Sequence, residues 1–546
     1  MFRKILHSDR GVATLLALLM IGMLLLIGLA ALSTSDDEVQ IAGNQWQETK
    51  AFYAAEAGLQ RAMSALQTEF DSTGVPPLSL PAGEETLNDC NVTYQSVDGG
   101  APVTRPLTTG NLAGLHALVK SFSVDATAVS RTDGARVVLS EGFEVALVPI
   151  FQFAVFYNND LEIAPGADMS LIGRVHTNGN LYLQSNVALR LDSYVSAAGS
   201  VHYGRKGPGS AGAGDVLIKN AQGTAVSMKM GSGWMDSHYA NWYDSSLARW
   251  GGRIKDSAYG QPRLNLPLTN TDDPHKLIER ADSNPDSYEN KATLKIVDGI
   301  AMRKMGDGTW QDVTAAMVAD GTLTYKADAF TDQREVQKVD LTQLDVAKMY
   351  SNGYAPSNGV VYFSDASASS SEWPAMRLVN GSTLNAPLTV ASENPLYTLG
   401  DFNSVNKQPA SLMADAVTFL SSSWKDTMST KSKTLRAAAA TTVNASYLTG
   451  NVETTASDYS GGFENLPRFL ETWSGKVFTW KGSAVNLWNS RQAVGTWNGT
   501  YYDPPTRNWQ YDIDLDDPNK LPPETPVIRV FQRTGWQQRY VNYATN

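Results

Sequence analysis

Only one cysteine, Cys90, occurs in 546 residues, which excludes an intramolecular disulfide and any zinc site built from cysteines. Cys90 itself reads as an inert packed or turn thiol. Charge is also sparse, at 18% of residues, and the 44 Lys and Arg are outnumbered by 55 Asp and Glu, for a formal net charge of −11. Because phosphate backbones are held by clustered cations, no nucleic-acid partner is expected. No phosphate-cradling glycine loop or dinucleotide fingerprint occurs, so any ATP-driven step belongs to a partner. Proline is missing from the start of the chain, the first being Pro76. What is present is a 42% hydrophobic share and 44 glycines, enough for two or more domains with a strand-rich and turn-rich body.

The run GVATLLALLMIGMLLLIGLAALS, residues 11–33, carries neither charge nor proline. As a helix, residues 12–32 span about 32 Å, the thickness of a bilayer's hydrocarbon core. Arg3, Lys4 and Arg10 precede the run and Asp36, Asp37 and Glu38 follow it, so the positive-inside rule keeps the leader cytoplasmic and exports the rest. Ala31-Leu32-Ser33 is a passable secretory cleavage site, but the run exceeds the roughly 7 to 15 residues of a secretory core and the helical pattern continues past it. Val39, Ala42, Trp46, Phe52, Ala55 and Leu59 recur at three-to-four-residue spacing, with Gly43 and Gly58 the glycines of this stretch. The pattern predicts one helix over residues 12–70, about 88 Å long, half in lipid and half amphipathic.

A short basic leader ending in Arg10-Gly11, then an apolar helix running directly into an amphipathic one, resembles the class III signal and stalk of type IV pilins and type II secretion pseudopilins. The stretch IAGNQWQETKAFYAAEAGLQRA, residues 41–62, is similar to PilX-like minor pilins, which carry AGN and AAEAGL elements in the same part of the stalk. The resemblance implies cleavage after Gly11 by prepilin peptidase and methylation of the new amine on Val12. It also implies filament packing through the stalk, here assigned to Leu16 and Glu56. Two positions depart from the family. Val12 replaces the commoner Phe or Met, and Leu16 stands where most pilins have glutamate. That glutamate is buried and pairs with a neighbouring subunit's amine, so Leu16 points to a place at the filament tip, where no such pair is required.

Residues 71–106 read as an irregular linker with one strand at 91–95, followed by strands at 117–129 and 135–147 joined by Arg131-Thr132-Asp133-Gly134, a hairpin signal. Residues 71–149 are therefore expected to form a small β head. From Phe151 the texture changes to short alternating strands such as 161–163, 169–172 and 180–183, divided by Asn, Gly and Pro turns. This resembles the rungs of a β-solenoid, although no strict repeat period is read; a β-sandwich is the alternative. The expected organisation is a leader at 1–11, a stalk at 12–70, a head at 71–149, solenoid at 150–203, an insertion at 204–357, and solenoid plus C-terminal region at 358–546. The fold class is α+β, a long helix with a mainly β body. The insertion holds Trp234, Trp242, Trp250 and Trp310, a helix at 275–281 and a strand pair at 294–296 and 299–304. The C-terminal stretches YSGGFENLPRFLETWSG and LPPETPVIRVFQRTGW resemble the tail of large PilX-like envelope proteins.

Chemistry-bearing residues are few. Asp512, Asp514 and Asp516 alternate as at the start of a calcium loop, but the turn glycine and distal glutamate are missing; calcium is the one candidate cofactor, against an acidic strand facing solvent. His176 and His202 could face one another as metal ligands on adjacent rungs, against ordinary packing histidines. Asp160, Glu162 and Asp168 have the residue type of solenoid glycan-cleaving enzymes without a paired spacing. Trp473, Trp480, Trp488, Trp497, Trp509 and Trp536 could stack on sugars or a partner, with core packing the default. The resulting reading is a non-enzymatic minor pilin or pseudopilin, held in the inner membrane before assembly and then at the pilus or cell surface. Its partners are other pilins, prepilin peptidase and a surface or glycan ligand. The alternative is a membrane-anchored or secreted β-solenoid carbohydrate-active enzyme.

Processing gives a direct check. In cells with prepilin peptidase the mature chain should begin at methylated Val12, and Gly11→Val should leave the precursor uncut and membrane-bound. N-terminal sequencing that starts at Thr34, or normal maturation of Gly11→Val, would count against the assignment.

Overall fold

A computed structural model describes residues 9–207, 212–268, 272–281, 284–366, 373–455, 459–497 and 499–539. Most of the expected leader, residues 1–8, lies outside them. The chain divides into two compact units, residues 1–102, 120–145 and 531–546 in one, and residues 103–119 and 146–530 in the other.

The first unit is built on one helix, Asp9–Thr73, of 65 residues, slightly longer at both ends than the sequence pattern predicts. It stops where Gly74 turns left-handed, at φ 66°, and donates its N–H to the Phe70 carbonyl at 2.7 Å, an ending glycine takes without a Cβ penalty. Ala51, Ala54, Ala55, Leu59, Ala62, Met63, Leu66 and Phe70 are buried, the one-sided spacing of a helix laid on a core. That face meets the strand Cys90–Asp98. Gly58 permits the close approach, since a Cβ there would stand 2.6 Å from Val92 Cγ1.

The sheet under the helix is ordered Ala82–Leu87, Cys90–Asp98, His116–Ser130, Arg136–Pro149, Val527–Arg539. The hairpin expected around Asp133-Gly134 forms, with Gly134 at φ 75°. Residues 71–106 are more regular than expected. Leu87 and Cys90 face each other across Asn88 and Asp89, both left-handed at φ 50° and 62°, a two-residue turn that Asn and Asp support. The head also gains a strand from the far end of the chain. Phe531 stacks on Phe143 at 5.2 Å, and Phe143 stacks on Phe122 at 4.9 Å. Local periodicity at 71–149 cannot reveal a partner so distant in sequence.

The second unit is built mainly of parallel ladders. Val155 pairs with Val175 and Val175 with Val195; Leu161 pairs with Leu181 and Leu181 with Val201; Met169 pairs with Leu189. Each step is 20 residues (175 − 155, 181 − 161, 189 − 169), so a strict local period exists where none was read. Val155, Val175, Val195, Leu161, Leu181, Val201 and Leu189 are all buried, each such side chain contributing roughly 1.5–3 kcal/mol. Residues 204–357, expected as an insertion, supply strands to the same ladders. Asp215–Lys219 follows Ala188–Leu191, Ile254–Lys255 follows Val195–Ala197, Leu294–Val297 pairs with Val360–Ser364, and Gln337–Asp345 pairs with Trp373–Val379, all parallel. Their irregular spacing hid them. The helix expected at 275–281 is a short 3₁₀ turn, Pro274–Leu277.

The longest ladder shows how the chain travels. Its spatial order is 254–255, 195–197, 174–177, 153–157, 484–486, 446–449, 410–414, 388–392, 360–364, 294–297, then two antiparallel strands. The chain enters in the middle at Phe153, winds to one end, crosses to the other, and winds back until Ala484 pairs with Val155. The crossing is pinned along its way: Leu264 N–H donates to Asn178 Oδ1 at 2.7 Å, His275 Nε2 lies 3.3 Å from Asp415 Oδ1, and Tyr362 Oη donates to the Ile278 carbonyl at 3.0 Å.

The aromatic stack of the first unit sets a stability test. Phe143→Ala removes a fully buried ring and should cost about 3–5 kcal/mol, and a double-mutant cycle with Phe531→Ala should show coupling of at least roughly 0.5 kcal/mol. Additive losses in chemical denaturation would argue against the C-terminal strand closing this sheet.

Candidate functional site

The most prominent feature is the N-terminal half of the helix. Over Gly11–Thr73 this helix is long and apolar enough to cross a membrane, and its most apolar stretch is entirely unburied. Leu15, Leu18, Leu24, Leu26 and Ile27 are all exposed. An apolar surface of this extent requires lipid or other apolar helices around it. Val12 and Leu16 lie on it, each 56% exposed, and a Cβ at Gly11 would meet nothing within 4 Å. Glu56 is half-buried, lower on the helix, beside buried Ala55. Above the packed region Trp46 is exposed, with Lys50 Nζ 5.5 Å from its ring.

The aspartates considered for calcium do not form a strand. They cap and build a 3₁₀ turn, Ile513–Asp516, in which Asp512 accepts the Asp514 N–H. Lys407 binds both Asp512 and Asp514, Lys481 lies 3.3 Å from Asp512, Lys520 bonds Asp514 at 2.9 Å, and Tyr511 donates to Asp516 at 2.7 Å. Hydrogen bonds from Lys407 and Lys520 hold the Asp514 carboxyl down at about 2. Lysine ammonium groups thus pair with Asp512 and Asp514, and a tyrosine hydroxyl with Asp516.

Asp160 and Glu162 do lie in one cleft, with Lys206 and Glu453. Lys206 Nζ bridges Asp160 at 3.0 Å and Glu453 at 3.1 Å, while Glu162 accepts the Lys206 N–H and the Tyr459 hydroxyl, each at 2.8 Å. Asp168 stands apart, paired with Arg190 at 2.7 Å. Trp473, Trp480, Trp488 and Trp509 are buried, Trp497 is partly buried and Trp536 is half exposed. Cys90 is buried, and burial together with nearby Asp89 pushes its thiol up, away from the reactive range.

The histidines separate. His176 is fully buried, its ring nitrogens 2.8 Å from Ser196 Oγ and 3.1 Å from Asn178 Oδ1, and burial lowers it to about 4. His202 lies on another ladder, stacked on Tyr182 at 4.8 Å, and its histidine neighbour is His238, 5.0 Å away. The ligating atoms of His202, Asp236 and His238 all lie within 4.8 Å of one another. Asp236 and His238 escaped the sequence reading because 34 residues (236 − 202) separate them from the strand they meet; the local signal was the Asp-x-His spacing in MDSH.

No family model and no curated protein matches the chain. Among solved structures it is similar to the competence-associated pilin ComZ from Thermus thermophilus, at 12% identity and a TM-score of 0.29, with 90% of this chain and 98% of that one covered. That likeness is too distant to bear on fold or function.

Two buried groups predict a pH response. Burial raises Glu464, whose Oε1 accepts the Ala164 N–H at 2.8 Å, from 4.5 to about 7. The folded chain then holds a proton the unfolded chain has lost, so this group makes stability fall as pH rises from about 4.5 to 7. His176, lowered from 6.5 to about 4, acts oppositely, stability rising with pH across that window. Glu464→Gln keeps an acceptor for Ala164 and removes the first slope. Its stability should climb more steeply from pH 4 to 6.5 and exceed wild type above pH 7 by up to roughly 3 kcal/mol. Unfolding followed by tryptophan fluorescence across pH checks this; parallel wild-type and variant curves would refute it.

Proposed function

We propose that the protein is a pilin-like filament subunit of a type IV pilus or type II secretion-like system. The observation that carries this reading is the single 65-residue helix that exposes an uncharged, mostly apolar surface over residues 11–33 and packs its C-terminal part on an antiparallel sheet. Such a helix serves two environments with one surface. In the bilayer its apolar half is solvated by acyl chains, and in a filament the same half is covered by the helices of neighbouring subunits. The precursor is held in the inner membrane, cut after Gly11 by prepilin peptidase, methylated at Val12, and transferred into the filament with its β body outward. The stacked parallel ladders support reading that body as a β-solenoid that contacts a surface or glycan ligand without cleaving it.

Leu16 supports a position at the tip, in a PilX-like minor role. A carboxylate on an apolar helix is tolerated only when paired, and Leu16 neither needs nor offers that pair to a neighbouring amine. The protein should therefore be rare relative to the major pilin, and its loss should reduce filament number more than length. Immunogold labelling of sheared filaments should decorate ends, and Leu16→Glu should shift label onto the shaft. Uniform shaft labelling of the wild type would overturn the tip assignment, and absence from filaments altogether would overturn the pilin reading.

A further inference from the structure

The cluster of His202, Asp236 and His238 combines two imidazoles and a carboxylate at the edge of one parallel ladder. Leu161–Ile163, Leu181–Leu183 and Val201–Tyr203 stack in register, so Glu162, Tyr182 and His202 fall in one row. His202 ends that row. The segment carrying Asp236 and His238 is laid along the open edge of its strand by specific bonds: Ser237 N–H donates to the Val201 carbonyl at 2.8 Å, Val201 N–H to Ser237 Oγ at 2.7 Å, and Tyr203 N–H to Asp236 Oδ2 at 3.0 Å. Ser237 Oγ donates in turn to Asp256 at 2.5 Å. Asp236 is thus fixed by backbone on both sides, since its Oδ1 also accepts the His238 N–H at 3.0 Å, and each oxygen retains a free lone pair.

We propose that these three side chains bind one divalent transition-metal ion of the zinc class. Imidazole with carboxylate is a donor set for borderline ions such as zinc, and three protein ligands leave a fourth position for water. Tetrahedral zinc places its ligand atoms about 3.4 Å apart, whereas here they lie within 4.8 Å. Closing that gap needs only side-chain rotation. His238 Nδ1 is already 3.6 Å from Asp236 Oδ1, and the His238 side chain is 73% exposed and free to swing. No hydrogen bond holds either ring nitrogen of His202 among the described residues. The ion would tie the excursion between Val201–Tyr203 and Ile254–Lys255 to the ladder edge, stiffening that end of the stack.

The test is equilibrium dialysis and thermal unfolding of the full-length protein in detergent, titrated with zinc chloride. One equivalent should bind at neutral pH with a rise in the melting temperature. Asp236→Asn keeps an acceptor for the Tyr203 N–H but loses the charge and the acceptor for the His238 N–H, and His238→Ala removes an exposed ring; each should weaken binding at least tenfold, and His238→Ala should leave the metal-free melting temperature unchanged. His116→Ala should bind as wild type. Absence of saturable zinc binding by the wild type, or wild-type affinity in both site variants, would overturn the proposal.

Discussion

Parallel strands stacked in register cannot bury their inward side chains alone, and this constraint governs the larger unit. A lone rung of a few residues exposes Val155 or Leu161 to water; the same residues between rungs above and below are fully buried. Stability is therefore a property of neighbours. The corners obey the same rule, because a turn's backbone groups must find partners on the next rung. Asparagines provide them. Asn403 Nδ2 donates to the Asn444 carbonyl at 2.7 Å and Asn444 Nδ2 donates back to the Asn403 carbonyl at 3.0 Å, while Asn486 Nδ2 bonds the Thr449 carbonyl at 2.9 Å.

Entering a stack in its middle creates a seam and two ends, and each is treated differently. At the seam Ala484, Val485 and Asn486 pair with Val155, Phe156 and Tyr157, and Ser483 Oγ donates to the Phe153 carbonyl at 2.6 Å. The last-formed rung thus covers the first. One end is closed by the two-residue strand Ile254–Lys255 with the helix Trp242–Trp250 against it, the other by the antiparallel strands Ile300–Lys304 and Trp310–Asp312. Short strands and reversed hairpins leave little edge for another chain to extend.

The helix poses the opposite problem. Its C-terminal half meets its burial requirement within the chain, through alanines and Gly58 that let the backbone approach Val92. Among the described residues nothing covers its N-terminal apolar stretch, and its leucines are exposed, a surface that lipid or other helices would cover.

The helix was legible in the sequence because its evidence is local. An uncharged run without proline and apolar residues at three-to-four spacing dictate one continuous element, and the hairpin at Asp133-Gly134 was readable for the same reason. The 20-residue step linking Val155, Val175 and Val195 was also there to be read, hidden because only the inward positions repeat while the residues between them change type, as Glu162, Tyr182 and His202 do. Tertiary structure alone decided the rest. Which strands from 204–357 join the ladders, that residues 531–539 complete the head, that Lys407 and Lys520 neutralise the aspartates, and that His202 meets His238 rather than His176 all depend on contacts between residues far apart in the chain. Sequence patterning records which face of an element seeks burial, but not which distant element will cover it, because that choice is made by shape and register only when the whole chain has folded.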